Sequence, residues 1–236
     1  MKKDISAVAF DLDGTLYPNY RFYLRLVPFI LREQRLLRAL GKARNILRRT
    51  VGEGEGENVP LKDRFYHLQS RVMADILKDD PERIKNRTET LIYRGWEPIF
   101  TRIKLFPHVR ETLGALREGG LKLGLLSDFP PEFKLENLKL GGFWDAVICS
   151  ETTGRLKPDP VPFLELARRL GSPPGEILYV GNSVSYDIIG AKSLGMKAAL
   201  VAPRLALTRR WKVKRSSAGA DFVFHDYRQL RNYVLG

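Results

Sequence analysis

The sequence predicts an α/β fold: a parallel sheet with crossover helices, interrupted after its first strand by a long helical insertion. Three observations carry this. Short apolar runs end repeatedly at an acid or a small polar residue, as Ala7–Phe10 does at Asp11. After Pro107 such runs alternate with stretches of helical period, the pattern of strands joined by right-handed crossovers. Between about residues 17 and 105 the pattern is helical, with no convincing strand.

Taken in order, Ala7–Phe10 reads as a short buried parallel strand. Residues 22–48 carry Leu26, Phe29, Leu36, Leu40, Ala43 and Leu47 near helical period, with a break around Glu33 and Gln34, so a helix pair is expected. Val51-Gly-Glu-Gly-Glu-Gly-Glu-Asn58 reads as a loop. Residues 62–79 form a helix expected to bury Phe65, Leu68, Val72 and Ile76, and Asp80-Pro81 is an N-cap followed by proline at the first helical position. A helix at 108–118 stops at Gly119-Gly120. Strands follow at 121–126, ending at Ser127-Asp128, at 146–149, and at 176–180, ending at Gly181-Asn182. Helices at 162–170 and 188–194 stop at Gly171 and Gly195, and residues 197–201 and 221–224 are further strands. In open parallel sheets ligands bind beyond the carboxyl ends of the strands. Asp11, Asp13, Ser127, Asn182 and Asp187 fall there.

Composition narrows the class. The 236 residues are 44% hydrophobic, enough for a globular core. The single cysteine, Cys149, excludes an internal disulfide and sits in an apolar run as a packed residue. His67, His108 and His225 are far apart and lack zinc-ligand spacing. Met1-Lys-Lys-Asp4 leads into the first strand without a signal-like apolar stretch, and no run is long enough to span a bilayer, so a cytoplasmic protein is expected.

The net charge of +13 is concentrated. Residues 20–50 hold nine Lys/Arg against Glu33, and residues 204–215 hold six with no acid. Two readings stand side by side. The stretch 20–50 is a solvated helix face, or it favours substrates with more than one negative charge. The run Arg209-Arg-Trp-Lys-Val-Lys-Arg215 interleaves an aromatic with cations, as nucleic-acid or anionic-lipid contacts do, although no nucleic-acid-binding motif accompanies it.

The chemistry is concentrated in Phe10-Asp-Leu-Asp-Gly-Thr-Leu16. Its two carboxylates point the same way from a strand end and cannot both stay ionised cheaply without a cation. Oxygen-only donors favour a hard divalent ion, Mg2+ above all. Gly14 permits a sharp departure, and Thr15 can bond back to the acids. Ser127 ends a second strand; Lys157 lies in Gly154-Arg-Leu-Lys-Pro-Asp-Pro160; Gly181-Asn-Ser-Val-Ser-Tyr-Asp187 adds oxygen donors after a fourth strand. Singly each has a structural reading: a turn at the hexapeptide, a helix cap at Ser127, a solvated charge at Lys157, a helix N-terminal acid at Asp187. Their order and shared strand-end positions point instead to one site.

This set resembles the four motifs of the haloacid dehalogenase (HAD) superfamily of phosphatases, at Asp11 and Asp13, at Ser127, at Lys157 and at Asp187. The strings Leu105-Phe-Pro-His-Val-Arg-Glu-Thr-Leu113 and Gly190-Ala-Lys-Ser-Leu-Gly-Met196 resemble the family too. The resemblance implies a Rossmann-like core, residues 1–16 and 106–236, with an inserted all-helical cap, residues 17–105. It further implies that Asp11 is the nucleophile, that Asp13 is the general acid and base, and that Thr15, Ser127, Asp128 and Lys157 orient the phosphoryl group. Mg2+ would be held by Asp11, Asp13, Asn182 and Asp187, and the substrate would be a small phosphorylated metabolite. In one respect the chain departs from the family: Asn182 stands where an aspartate is usual. Dehalogenases share the fold and need no metal, but they usually lack the second aspartate, present here as Asp13. A phosphomutase, a dehalogenase, or a basic protein binding nucleic acid or anionic lipid are the alternative readings.

Overall fold

A computed structural model describes residues 4–49, 61–202 and 219–236. The Gly/Glu loop at 51–58 and the basic run at 204–215 lie outside the described residues.

Six strands form one parallel sheet: β1 (Ala7–Phe10), β2 (Lys122–Ser127), β3 (Ala146–Cys149), β4 (Ile177–Gly181), β5 (Lys197–Val201) and β6 (Phe222–Phe224), in the order β3-β2-β1-β4-β5-β6. Because alternate side chains leave opposite faces, Val8 and Phe10 enter one apolar core, while Ala7 and Ala9 enter another. The first core is covered by α5 (Val109–Glu118) and a C-terminal helix, and the second by α7 (Pro160–Leu170). Burial on both faces explains the nearly unbroken apolar runs. β1 is central, flanked by β2 and β4, whose crossovers depart to opposite sides. A crevice therefore opens at the carboxyl end of β1.

The insertion is helical, as expected. α1 (Asn19–Arg49) kinks at Glu33, whose φ of −114° and ψ of 28° are not helical and whose carboxylate takes Arg87 at 2.9 Å. α2 (Leu61–Leu77) and α3 (Pro81–Thr88) follow; Asp80 caps α3 by accepting the Arg83 amide at 2.9 Å. A π-helical turn at Glu89–Arg94 leads to the short α4 (Glu97–Phe100). Leu36, Leu40, Ala43, Met73, Ile84 and Ile92 form a separate small core between these helices.

Of the expected buried face of α2, Phe65 is buried and Val72 and Ile76 pack against the small core, but Leu68 does not. Leu68 is exposed, and Phe65, Gln69 and Met73 point inward. Gln69 is buried because it belongs to a buried polar network, and Ser70, also buried, donates its hydroxyl to the His67 carbonyl at 2.9 Å. That network centres on Glu151, fully buried in the turn after β3. Glu151 pairs with Arg44 of α1 and accepts hydrogen bonds from Tyr66 at 2.8 Å and Tyr93 at 2.9 Å. Three helical segments of the cap thus converge on one carboxylate of the core. Also absent from the sequence reading are α6 (Glu132–Asn137) and α9 (Tyr227–Leu235), the latter opened by an Asp226–Gln229 capping box. α8 (Ile189–Ser193) is preceded by a π-helical turn at Val184–Ile188. Among the described residues no helix is long and apolar enough to cross a membrane.

Glu151→Ala would leave Arg44 as a buried, unpaired cation and strand two tyrosine hydroxyls. It is expected to destabilise the protein by about 3–5 kcal/mol in urea unfolding, and a loss near zero would contradict the role of this pair.

Candidate active site

Asp11 follows β1 and is 6% exposed. Its backbone N–H extends the sheet pairing to Val180 at 2.9 Å, so its direction is fixed by the strand. Oδ2 accepts the Thr15 hydroxyl at 2.7 Å, and Oδ1 meets Lys157 Nζ at 2.7 Å. Thr15 is itself held from the far end of the chain: the Tyr227 hydroxyl of α9 donates to its carbonyl at 2.6 Å. Gly14, with φ of 88°, makes the turn between them.

Lys157 is 3% exposed and bridges two carboxylates. Its ammonium reaches Asp187 Oδ1 at 2.7 Å as well as Asp11, with the Tyr179 hydroxyl at 3.3 Å and the Leu126 carbonyl at 3.4 Å. Burial works against this charge, but Asp11 and Asp187 outweigh it and hold the lysine pKa well above its ordinary value. For Asp11 burial dominates and pushes its carboxyl up to about 7; Lys157 pulls it down, while Asp187 and Asp13 push it further up.

Asp187 has no unengaged carboxylate oxygen. Oδ1 takes Lys157, and Oδ2 accepts the amides of Asn182 at 3.1 Å and Ser183 at 3.0 Å. The π-helical turn at Val184–Ile188 folds Asp187 back onto the end of β4. A side chain at Gly181 would fall within 2.5 Å of Asp187 Oδ2, so only glycine admits this approach. The Asn182 amide lies over Gly14, where an added Cβ would collide with it.

Asp13 is gripped from two sides that the sequence reading missed. Lys134 Nζ, on α6, lies 2.8 and 2.7 Å from its two oxygens, and the Tyr17 hydroxyl donates to Oδ1. The Lys134 ammonium also sits over the rings of Phe100 and Phe129, at 5.2 and 5.5 Å from their centroids. Ser127 is fully buried, and its hydroxyl accepts the Phe129 amide at 3.2 Å, a turn-capping contact. Asp128 binds the Lys157 amide at 3.2 Å and Arg48 of α1 at 2.7 Å. Burial alone would raise its pKa, but Lys157, Arg44 and Arg48 hold it below the ordinary carboxylate value.

The structure thus gathers Asp11, Thr15, Lys157 and Asp187 into one contact network, with Asp128 on its edge through Lys157. Asp13 is beside it, and Asn182 faces the first loop. Among the described residues no three His, Cys, Asp or Glu side chains converge as a metal-binding group.

Parallel strand order, an inserted helical unit and an Asp-x-Asp pair at the crevice define a capped α/β protein of Rossmann-like type. Residues 5–195 match the family model described as haloacid dehalogenase-like hydrolase. The chain is 33% identical over 207 residues to a phosphoglycolate phosphatase of Salmonella paratyphi A, covering 82% of this chain and 79% of that one. A phosphoglycolate phosphatase of Escherichia coli O157:H7 matches at the same identity and coverage. A HAD phosphatase from Thermococcus onnurineus superposes with a TM-score of 0.63 at 26% identity, covering 98% of this chain and 99% of that one. A 2-haloacid dehalogenase from Pseudomonas syringae pv. tomato superposes with a TM-score of 0.63 at 25% identity, covering 98% of each. The chain belongs to the haloacid dehalogenase-like hydrolase family, and it is an enzyme of the phosphatase type.

Replacing Lys157 by methionine leaves Asp11 and Asp187 buried together without their shared cation. Turnover of an aryl phosphate is expected to fall by about 10²–10³. Lys134→Met should cost only on the order of tenfold, because Asp13 is partly solvated and keeps Tyr17. Steady-state kinetics of both variants checks the order, and a reversed order would contradict it.

Proposed function

We propose that this protein is a Mg2+-dependent phosphohydrolase that cleaves a small phosphorylated metabolite, in the cytoplasm, through an aspartyl-phosphate on Asp11. The single observation that carries this is the geometry of Asp11: one oxygen on Thr15, the other on Lys157, at the mouth of the central strand. A carboxylate so aligned suits in-line attack on phosphorus. Asp13, two residues further on, protonates the leaving oxygen and then takes a proton from the water that hydrolyses the phosphoenzyme. Lys157 and Ser127 bear on the transferring phosphoryl oxygens. Besides its place among the metal donors, Asp187 holds Lys157 in position. The helical unit of residues 17–105 serves as the cap that excludes water from the leaving group.

The donor set fits Mg2+. Magnesium binds through few carboxylates, keeping waters and substrate phosphate as its other ligands, so a three-acid cluster is not required. Asp11, Asp13, Asn182 and Asp187 are the residues that would hold the ion, all with hard oxygen donors. A carboxyl pushed up to about 7 by burial is half protonated near neutrality, and a divalent cation beside it favours the ionised form that attacks. When bound, the ion would offset the repulsion between this carboxylate and the phosphate. One feature favours a dehalogenase instead, the neutral Asn182 in place of an acid; chloride release from 2-chloropropionate tests that reading on the same protein.

Phosphate release from phosphoglycolate and an aryl phosphate is expected with Mg2+, to be abolished by EDTA and by Asp11→Asn in a correctly folded variant. Asp13→Ala should lower the rate by about 10²–10⁴ on a substrate with a poor leaving group. Retention of more than a few per cent of turnover by Asp11→Asn, with deamidation excluded, would remove the nucleophile assignment. Asn182→Asp adds a full charge to the donor set and should lower the Mg2+ activation constant. Identical constants for wild type, Asn182→Asp and Asn182→Ala would take Asn182 out of the metal site.

A further inference from the structure

Between the helical insertion and the core lies a cavity of about 720 Å³. Asp13 and Lys134 form part of its wall, which places the chamber on the side of the proposed general acid. The group that Asp13 protonates is the leaving oxygen, so whatever fills the chamber is the leaving group.

The wall is largely aromatic. Tyr17, Phe22, Trp96, Phe100, Phe129 and Phe133 line it. The rings form a continuous surface: the Phe22 and Phe100 centroids are 5.1 Å apart, Phe22 and Trp96 5.4 Å, and Trp96 and Phe129 6.3 Å. Such a wall gains most from an apolar or aromatic body and least from a charged one. The charges at the wall point the same way. Its cations among the described residues are Lys134 and Arg94, and both are engaged: Lys134 by Asp13 at 2.7 Å, Arg94 by Glu89 at 2.9 Å. Glu97, Glu132 and Glu136 add further negative charge. The basic surplus of residues 20–50 does not supply a counter-ion, since Asn19, Phe22 and Tyr23 are what that end of α1 presents to the chamber. Arg44 is spent on Glu151, and Arg48 on Asp128. A substrate carboxylate in this chamber meets three further glutamates, Glu97, Glu132 and Glu136, and no uncommitted cation among the described residues.

We propose that the preferred substrate is a phosphate monoester of a neutral alcohol with an apolar or aromatic body, not a short phosphorylated acid. This rests on the phosphatase reading and narrows it. It also separates this chain from the phosphoglycolate phosphatases it resembles, whose substrate carries a carboxylate. A chamber of this volume accommodates a leaving group of drug-like size, within the usual range of about 300–1,000 Å³; a two-carbon acid leaves most of it to water.

The test compares 2-phenylethyl phosphate, ethyl phosphate and phosphoglycolate as substrates of the full chain with Mg2+. The two alkyl esters have similar leaving-group basicity, so their ratio reports the chamber and not the chemistry. The phenylethyl ester should exceed both others in kcat/KM by at least about tenfold, the worth of burying one ring. Phe22→Ala should erase most of that advantage. Glu97→Lys, which puts an uncommitted cation in the wall, should raise kcat/KM on phosphoglycolate. Hydrolysis with equal efficiency on all three, or with phosphoglycolate preferred, overturns the inference and leaves the phosphatase reading standing. Absence of hydrolysis overturns the catalytic reading; binding of 3-phenylpropylphosphonate over propylphosphonate, followed by isothermal titration calorimetry, then still reports the chamber. Equal binding of the two phosphonates overturns the inference independently of turnover.

Discussion

One buried ammonium holds the centre of this protein together. Lys157 stands 2.7 Å from both Asp11 and Asp187, each almost sealed from water. Two buried carboxylates at that spacing are untenable alone, and a lone buried lysine is equally so. The three groups therefore require one another, and the fold is arranged to deliver them. β1 brings Asp11 to the middle of the sheet, and the loop after β3 brings Lys157 across β2. The glycine that ends β4 lets the next turn fold Asp187 back upon it. The arrangement fixes Asp11 in place: Thr15 and Lys157 orient its two oxygens, and burial pushes its carboxyl up to about 7.

The helical insertion is bound to that centre by charge as well as by packing. Arg44 enters the core to meet Glu151, and Arg48 reaches Asp128 and the carbonyl of Lys157 at 3.0 Å. Most of the remaining cations of α1, among them Arg25, Arg32, Arg35 and Arg38, are exposed. The basic surplus of α1 thus divides into two structural arginines and a solvated face. Between insertion and core the same interface leaves an aromatic chamber whose polar groups largely answer one another. Polar and aromatic groups are separated in space: oxygen and nitrogen groups lie at the strand ends, and rings line the chamber beside them.

Much of this was legible in the sequence, for identifiable reasons. Buried parallel strands leave apolar runs that end where the chain turns toward ligand, and so Asp11, Ser127 and Asn182 could be aligned at one edge. Capping residues such as Asp80 and stop glycines such as Gly171, with φ of 58°, mark helix ends by local chemistry alone. What escaped depends on tertiary register. Lys134 lies on a one-and-a-half-turn helix with weak periodicity, and only the approach of α6 to the β1 loop gives it Asp13 as a partner. Tyr227 bonds Thr15 across 212 residues. On α2 the outward Leu68 and inward Gln69 escaped because Gln69 is buried by its partners, Arg44 and Tyr93, which a hydrophobicity pattern does not record. Asp187 was expected beside the strand ends, but its engagement by Lys157 and two amides is visible only in three dimensions.

The central claim is that Asp11 is the group to which phosphorus is first transferred. A single-turnover experiment tests it directly: enzyme in excess over a radiolabelled phosphate ester, quenched in acid within the first turnover, digested and mapped. The account predicts transient label on the peptide carrying Asp11, formed before free phosphate appears and lost as it accumulates. Label on another residue, or phosphate released in one step with no labelled protein at any time, would contradict it.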